Sequence, residues 1–416
     1  ASVKHKMHEY LTRDTERFDA EQVRKALAYI EDYWGTLERY QPTDKGTIIG
    51  LPKPYLVPSS GNGSGFSYQE IYYWDSYFMV QGLWDTPREP MIKDITDNLL
   101  YLMQRFGVIP NSGRMYHTGR SQPPFLTTLI SQVYRRTRDR VWLEQAASLA
   151  QQEYENVWMG TEHPHWRQVF EGLSRHYDVD VLNDLAEAES GWDMTTRFDR
   201  RTLNFIPIDL NSLLYKYEVD LSEFAAELGR PADAEVWQER SEQRQKVVDN
   251  YLWDSQKGAY FDFDYSRLEL GGVWSLATYS PMWSGMASKR QAAELVKNLQ
   301  RFDCPGGLST TAKEPHIEMD VPTQWAYPNG WAPLQLMVIE GLERYGYKAE
   351  ARRYARKWLA TNLNWFAHRE EFLEKYNVVE PELPPVQGLY PNQVGFGWTN
   401  AVFVCLANKY LDSDET

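Results

Sequence analysis

The sequence predicts an all-α fold, and three observations carry that expectation. Amphipathic stretches at helical spacing recur along the whole 416-residue chain. Strand signals are few and short, the clearest being Gly258-Ala259-Tyr260-Phe261-Asp262-Phe263. Long irregular segments rich in Gly, Pro and aromatic residues separate the helical stretches. With no low-complexity linker and no abrupt shift of charge, residues 1–416 read as one domain. Many amphipathic helices in one large domain need a closed arrangement, and a ring of helical hairpins, the α/α toroid, provides one. The pattern alone does not select a toroid over a helical solenoid, although no fixed-period repeat supports the solenoid.

The first stretch, residues 20–40, sets Val23, Leu27, Ile30, Trp34 and Leu37 on one stripe. Similar stretches follow at 93–106, 140–157, 209–228, 231–252, 288–301, 334–345, 348–362 and 399–411. Asp209 reads as a cap before LNSLLYKY, and Pro231 after Gly229 reads as a first helical residue. The intervening segments are 42–74, 107–125, 157–195, 255–285, 303–333 and 376–398. Connections of that length usually carry function.

A net charge of −14 disfavours nucleic acid and anionic membranes as partners. No apolar run approaches the ~18 residues needed to span a bilayer. The polar start, Ala1-Ser2-Val3-Lys4-His5-Lys6, contains no apolar signal region, so a cytoplasmic location is expected. The two cysteines, Cys304 and Cys405, make no disulfide framework. The eight histidines form no HExxH pair, and no phosphate loop, dinucleotide fingerprint or nucleophile elbow occurs.

Aromatic residues make up 14% of the chain, enough to line a surface as well as a core. Two segments concentrate them beside carboxylates and amides: Glu70-Ile71-Tyr72-Tyr73-Trp74-Asp75-Ser76-Tyr77-Phe78 and Gln324-Trp325-Ala326-Tyr327-Pro328-Asn329-Gly330-Trp331. Flat rings stack on the C–H faces of sugars while carboxylates and amides bind hydroxyls. Asp75, in an apolar run, is expected to grip hydroxyls or pair with an arginine, because an unpaired buried charge is costly. Asn111, Arg120 and Gln122 form a polar set nearby in sequence. Asp193 follows Gly191 and Trp192, an apolar setting that would raise a carboxyl's pKa and suit a general acid; the same position also fits a helix N-cap. Glu374 stands near a helix-to-loop junction, in a pocket or on a surface helix.

The ordered set YYWDSYF (72–78), IPN (109–111), GRSQPPF (119–125), ESGWD (189–193), PIDLNSLLY (207–215), QWAYPNGWAPLQ (324–335), EKYN (374–377) and GFGWTN (395–400) resembles the trehalases, inverting hydrolases of α,α-trehalose with an (α/α)6 toroid. The resemblance implies that Asp193 is the general acid and Glu374 the general base, roughly 6.5–9.5 Å apart with a water between. It implies a sugar site lined by Phe66, Tyr68, Trp74, Asp75, Asn111, Arg120, Gln122 and Trp192, with Gln324, Trp325 and Trp331 nearby. The implied ligand is a small α-linked disaccharide or glucoside, with no metal and no organic cofactor; the oligomeric state is not legible.

The chain also departs from that family. Ser67 falls where its arginine would stand, Ala326 replaces an Asp, and Leu389 replaces a Glu before Tyr390. The family's Arg-Pro-Glu stretch is missing between Arg175 and Glu189, and the segment after Asn377 is Pro-rich rather than Gly-rich. The expectation is a trehalase-like inverting α-glucosidase whose aglycone pocket is altered. Competing readings are a hydrolase of glucosylglycerate or mannosylglycerate, for which Arg114, Arg175 and Lys375 would be the candidate carboxylate binders; a non-catalytic sugar-binding protein; and a toroidal epimerase or lyase, for which no His cluster is present.

Overall fold

Helices alternate between an outer and an inner position around a ring. The computed structural model describes residues 17–61, 67–313 and 319–416; the expected site residue Phe66 lies outside them. The first outer helix, α1 (Ala20–Leu37), starts where the Asp19 side chain accepts from Glu21 N and Gln22 N, and it buries Val23, Ala26, Ile30, Trp34 and Leu37. The inner α2 (Tyr73–Val80) follows, with all its residues buried. Then come α3 (Pro90–Phe106, outer), α4 (Leu126–Thr137, inner) and α5 (Arg140–Gln152, outer), which runs on into a wider π turn, Glu153–Trp158. The short α6 (Asn183–Glu189) sits within the next long connection. The ring continues with α7 (Ile208–Glu227, inner), α8 (Pro231–Tyr251, outer), α9 (Ser280–Ser284, inner), α10 (Lys289–Lys297, outer), α11 (Ala332–Arg344, inner), α12 (Lys348–Arg369, outer) and α13 (Gly397–Tyr410, inner). This is an (α/α)6 toroid, as expected.

Burial separates the two layers. Outer α8 buries only Trp237, Ser241, Arg244 and Val248 along one stripe, whereas α9 is buried throughout. The ring closes where α13 packs on α2. At the same seam the Glu415 carboxylate accepts from Phe18 N at 3.2 Å and from both terminal nitrogens of Arg356 at 2.7 and 2.8 Å.

The periodic stretches match every outer helix and the inner α7, α11 and α13 to within a few residues, except that α12 runs on to Arg369. The inner α2, α4 and α9 and the short α6 do not appear among those stretches; α2 and α9 are buried on every side and have no polar face to alternate with, and α6 is only seven residues long. Asp209 does not cap: α7 begins at Ile208, and the Asp209 carboxylate instead meets the buried Arg197 guanidinium at 2.8 and 2.9 Å. Pro231 stands at the start of α8 as expected.

Strands are two or three residues long, and one pair matters for the site. Asn329–Gly330 runs antiparallel to Tyr376–Asn377, with Asn329 opposite Asn377 and Gly330 opposite Tyr376. This ladder joins the second aromatic segment to the segment carrying Glu374.

Candidate active site

The long connections gather at one end of the ring and enclose a cavity of about 250 Å³. Among the expected site residues, Tyr68, Trp74, Asp75, Asn111, Arg120, Gln122, Asp193, Trp325, Trp331 and Glu374 line it. They come from five separate parts of the chain.

The first aromatic segment divides its side chains between two environments. Trp74 and Asp75 face the cavity. Tyr73 faces the core, where its hydroxyl donates to Glu153 Oε2 at 2.8 Å and accepts from Phe125 N and Leu126 N. Tyr77 stacks on Phe125 at 4.3 Å. The segment is thus anchored by alternate rings, and Gln122 fixes its start by accepting from Trp74 N at 3.1 Å. Asn111 and Arg120 meet across a tight loop: Asn111 N donates to Arg120 O at 2.9 Å, and Arg120 Nε donates to Asn111 Oδ1 at 3.3 Å. The ion pair of Arg120 is with Asp178 at 3.3 Å, not with Asp75.

The floor is a group of indoles. Trp325 and Trp331 stack at 3.7 Å with their planes 4° apart. Trp74 lies 5.7 Å from Trp325, and Trp398 meets Trp74 edge-on at 5.7 Å. Trp192 stands behind this floor, 5.7 Å from Trp325, with the Arg197 guanidinium 4.3 Å below its ring. Gln324 also stands behind the wall. Its amide nitrogen donates to Asp193 O at 2.6 Å and to the Tyr390 hydroxyl at 3.2 Å. Trp192 and Gln324 therefore support the cavity rather than line it.

Gly191 is required here twice over. Its φ is +77°, and a Cβ at this position would sit 2.4 Å from the Trp74 ring. Gly191→Ala should therefore displace Trp74 or the Asp193 peptide and cost about 2–4 kcal/mol. The check is urea unfolding beside sugar-inhibitor affinity, and both should fall.

The carboxyls differ in their surroundings. Asp193 opens onto the cavity and is otherwise enclosed; no helix starts at it, so the N-cap alternative does not hold. Burial pushes its pKa up to about 7, helped by the nearby Glu374 charge and opposed by a backbone hydrogen bond and, less, by Arg120 and Lys375. Asp75 is also pushed well above the usual carboxylate range, by burial and then by Glu374, and it has no ion pair among the described residues. Glu374 is buried, with Lys375 Nζ donating to Oε1 at 2.8 Å and the Tyr390 hydroxyl 3.3 Å from Oε2. His117, another wall residue, is depressed to about 4 by burial and by Arg120, so it stays neutral.

Several wall residues escaped the sequence reading: Tyr72, His117, Tyr390, Phe396 and Trp398. Trp398 and Phe396 lie in or beside GFGWTN, and His117 lies between Asn111 and Arg120, so position within the motifs was the available signal. The departures from the family pattern fall mostly behind or outside the wall. Leu389 is 72% exposed. Ser67 Oγ accepts from Gln69 Nε2 at 3.1 Å, and Ala326 is buried. The Pro-rich segment is pinned: Val386 and Asn329 exchange hydrogen bonds of 3.0 and 2.9 Å, and Gly388 packs where a Cβ would lie 2.6 Å from the Gln324 amide.

A toroid of helical hairpins with carboxyls over an indole floor at one end defines a glycoside hydrolase. The chain belongs to the trehalase family, whose model matches residues 2–190 and 162–410. It is similar to neutral trehalase Nth1 from Saccharomyces cerevisiae, with 29% identity and a TM-score of 0.76 over 91% of this chain and 77% of that one. Its fold is also that of a mannosylglycerate hydrolase from Thermus thermophilus in complex with glucose, at 18% identity and a TM-score of 0.64 over 92% and 98% of the two chains. A rhamnosidase from Klebsiella oxytoca shares the fold at 13% identity and a TM-score of 0.53, over 95% of this chain and 66% of that one. No helix among the described residues is long and apolar enough to cross a membrane, and none of their His, Cys, Asp and Glu side chains group in a way that could hold a metal ion.

Proposed function

We propose that the protein hydrolyses a small neutral α-glucoside, α,α-trehalose first among them, with inversion at the anomeric carbon, and that residues 1–416 act as one catalytic domain. Asp193 is the general acid. It gives its proton to the glycosidic oxygen as the C–O bond breaks. Glu374 is the general base. It takes a proton from the water that bonds to the anomeric carbon from the opposite face, and the two carboxyls then exchange one proton with solvent. Trp74, Trp325 and Trp331 supply apolar faces for the sugar ring, while Asp75, Asn111, Arg120 and Gln122 bind its hydroxyls.

One observation carries this reading: two carboxyls on the same cavity have opposite settings. Asp193 has no cation bonded to it among the described residues and is pushed up to about 7, as a proton donor requires. Glu374 is bonded to Lys375.

A neutral aglycone is supported by what the cations do. Arg114 pairs with Glu70 at 3.2 Å. Arg175 donates to Trp166 O, Leu203 O and the Tyr265 hydroxyl. Lys375 is committed to Glu374. Among the described lining residues the one cationic side chain, Arg120, stands against the three carboxyls Asp75, Asp193 and Glu374. Arg120 is itself paired with Asp178, so a glycerate leaving group would find no uncommitted cation among the described lining residues.

Anomer-resolved NMR with a panel of α-glucosides, trehalose and glucosylglycerate included, tests the proposal. Initial release of β-glucose from trehalose or another neutral glucoside is expected. α-Glucose as first product would overturn inversion, preference for glucosylglycerate would overturn the neutral aglycone, and binding without turnover would return the sugar-binding reading.

A further inference from the structure

Lys375 is fully buried, which is rare for lysine because desolvating an ammonium is costly. The surroundings show what compensates. Its Nζ donates to Glu374 Oε1 at 2.8 Å and lies 5.1 Å from the centroid of the Trp331 ring and 5.9 Å from that of Tyr390. Both rings are cavity wall, and Trp331 is in turn clamped by its stack on Trp325. The backbone at Glu374 is held as well, with its N–H donating to Gln393 O at 3.1 Å and its carbonyl accepting from Trp398 Nε1 at 3.3 Å.

The two oxygens of Glu374 are thus unequal. Oε1 is occupied by a charge-assisted bond to an ammonium that has no route to solvent. Among the described residues Oε2 has the longer contact with the Tyr390 hydroxyl, at 3.3 Å. We infer that Lys375 is a positioning residue for the hydrolytic reaction: it fixes Glu374 through Oε1 and leaves Oε2 to receive the proton of the attacking water. The inference rests on Glu374 being the general base.

The groups that act on Glu374 come from every neighbouring segment. Asp75, Asp193, Tyr68 and Tyr390 each feel its charge. Among the described residues Lys375 is the cation bonded to it. Removing that cation leaves a buried carboxylate among other acids, so it protonates more readily. A base that protonates more readily fails at higher pH on the acid side.

The experiment compares Lys375→Met, Lys375→Arg and Glu374→Gln in the full chain, reading kcat, KM and the pH profile of kcat/KM on the substrate found by NMR. For Lys375→Met the expected result is a kcat lower by on the order of 100-fold. Its KM should stay within about threefold, as for loss of an interaction used in the reaction rather than in binding, and its acid limb should move to higher pH. Lys375→Arg, which keeps the charge, should leave the acid limb near its original place. A folded Lys375→Met protein with unchanged kcat and acid limb overturns the inference. Should Lys375→Met fail to fold, an acid limb displaced upward in Lys375→Arg overturns it and an undisplaced one supports it. Full activity in Glu374→Gln sinks the base assignment itself. An inactive Glu374→Gln beside an unaffected Lys375→Met removes only the role of Lys375.

Discussion

Asp193→Asn should lower kcat/KM by on the order of 10²–10⁴-fold and at the same time make the protein more stable at neutral pH. Both effects follow from one carboxyl held largely out of water. Burial and the charge of Glu374 raise it from 3.8 to about 7, so it stays protonated where exposed carboxyls have ionised. The proton is what the leaving oxygen needs, and activity should therefore fall as pH rises through about 7. A substrate whose leaving group needs no protonation, such as α-glucosyl fluoride, should lose far less in the variant. The stability effect has the opposite sign from that of an ordinary paired aspartate. Because the folded-state value is raised, the unfolded chain releases its proton first, and stability declines from about pH 4 to about pH 7. Asn removes that decline. Thermal melts should place the variant above the parent by about 2 °C or more at pH 8 and level with it near pH 4. Equal melting at both pH values would contradict the buried-acid account.

Glu189→Ala should cost about 3–5 kcal/mol of folding stability, the range for breaking a buried ion pair from one side. Glu189 carries the first letter of ESGWD but lines no part of the cavity. Its carboxylate is paired with the Arg167 guanidinium, lies 2.9 Å from His176 Nδ1, and accepts from Ser121 N at 2.9 Å and Tyr177 N at 3.2 Å. Burial alone would raise its pKa, but Arg167 and His176 outweigh burial and hold it down to about 2. The stabilisation is therefore complete above about pH 4.5 and lost as pH falls toward 2. Urea unfolding at pH 7 measures the loss. Removal of Glu189 strands a buried guanidinium and loosens the segments that carry Arg120, Gln122 and Asp193, so activity should fall with stability. A variant within about 1 kcal/mol of the parent would show that water replaces the carboxylate there.

The outer ring was legible because each outer helix keeps a polar face, as the stripe of Val23, Ile30, Trp34 and Leu37 shows. The inner α2, α4 and α9 were harder to see. Residues 73–80 are aromatic and buried on all sides, and 280–284 is too short for periodicity to register. Of the site, Trp74, Asp75, Asn111, Arg120, Gln122, Trp325 and Trp331 line the cavity while Gln324 stands behind it; the segments that carry them have little other reason to combine rings with carboxyls. Chain-distant partners were not legible. Nothing local says that Arg120 meets Asp178 rather than Asp75, that Asp209 serves Arg197 rather than a helix end, or that Lys375 turns toward Glu374. Tyr390 illustrates the same limit. Its hydroxyl reaches Gln324 and Glu374 only because the Pro-rich segment is tied down through Asn329.

The seam where α13 meets α2 has a consequence for how the molecule is made. Phe18 and Glu415, joined there, are 397 residues apart in the chain. As a ribosome releases the chain, successive hairpins can stack on those already formed, but the last inner helix of the ring emerges after all the others. Contacts of such long sequence separation form late and slowly. The cavity wall runs from Pro58 to Trp398 and so spans the seam. Helix content and activity must then appear at different times during refolding, and the return of activity is the clock for closure of the ring.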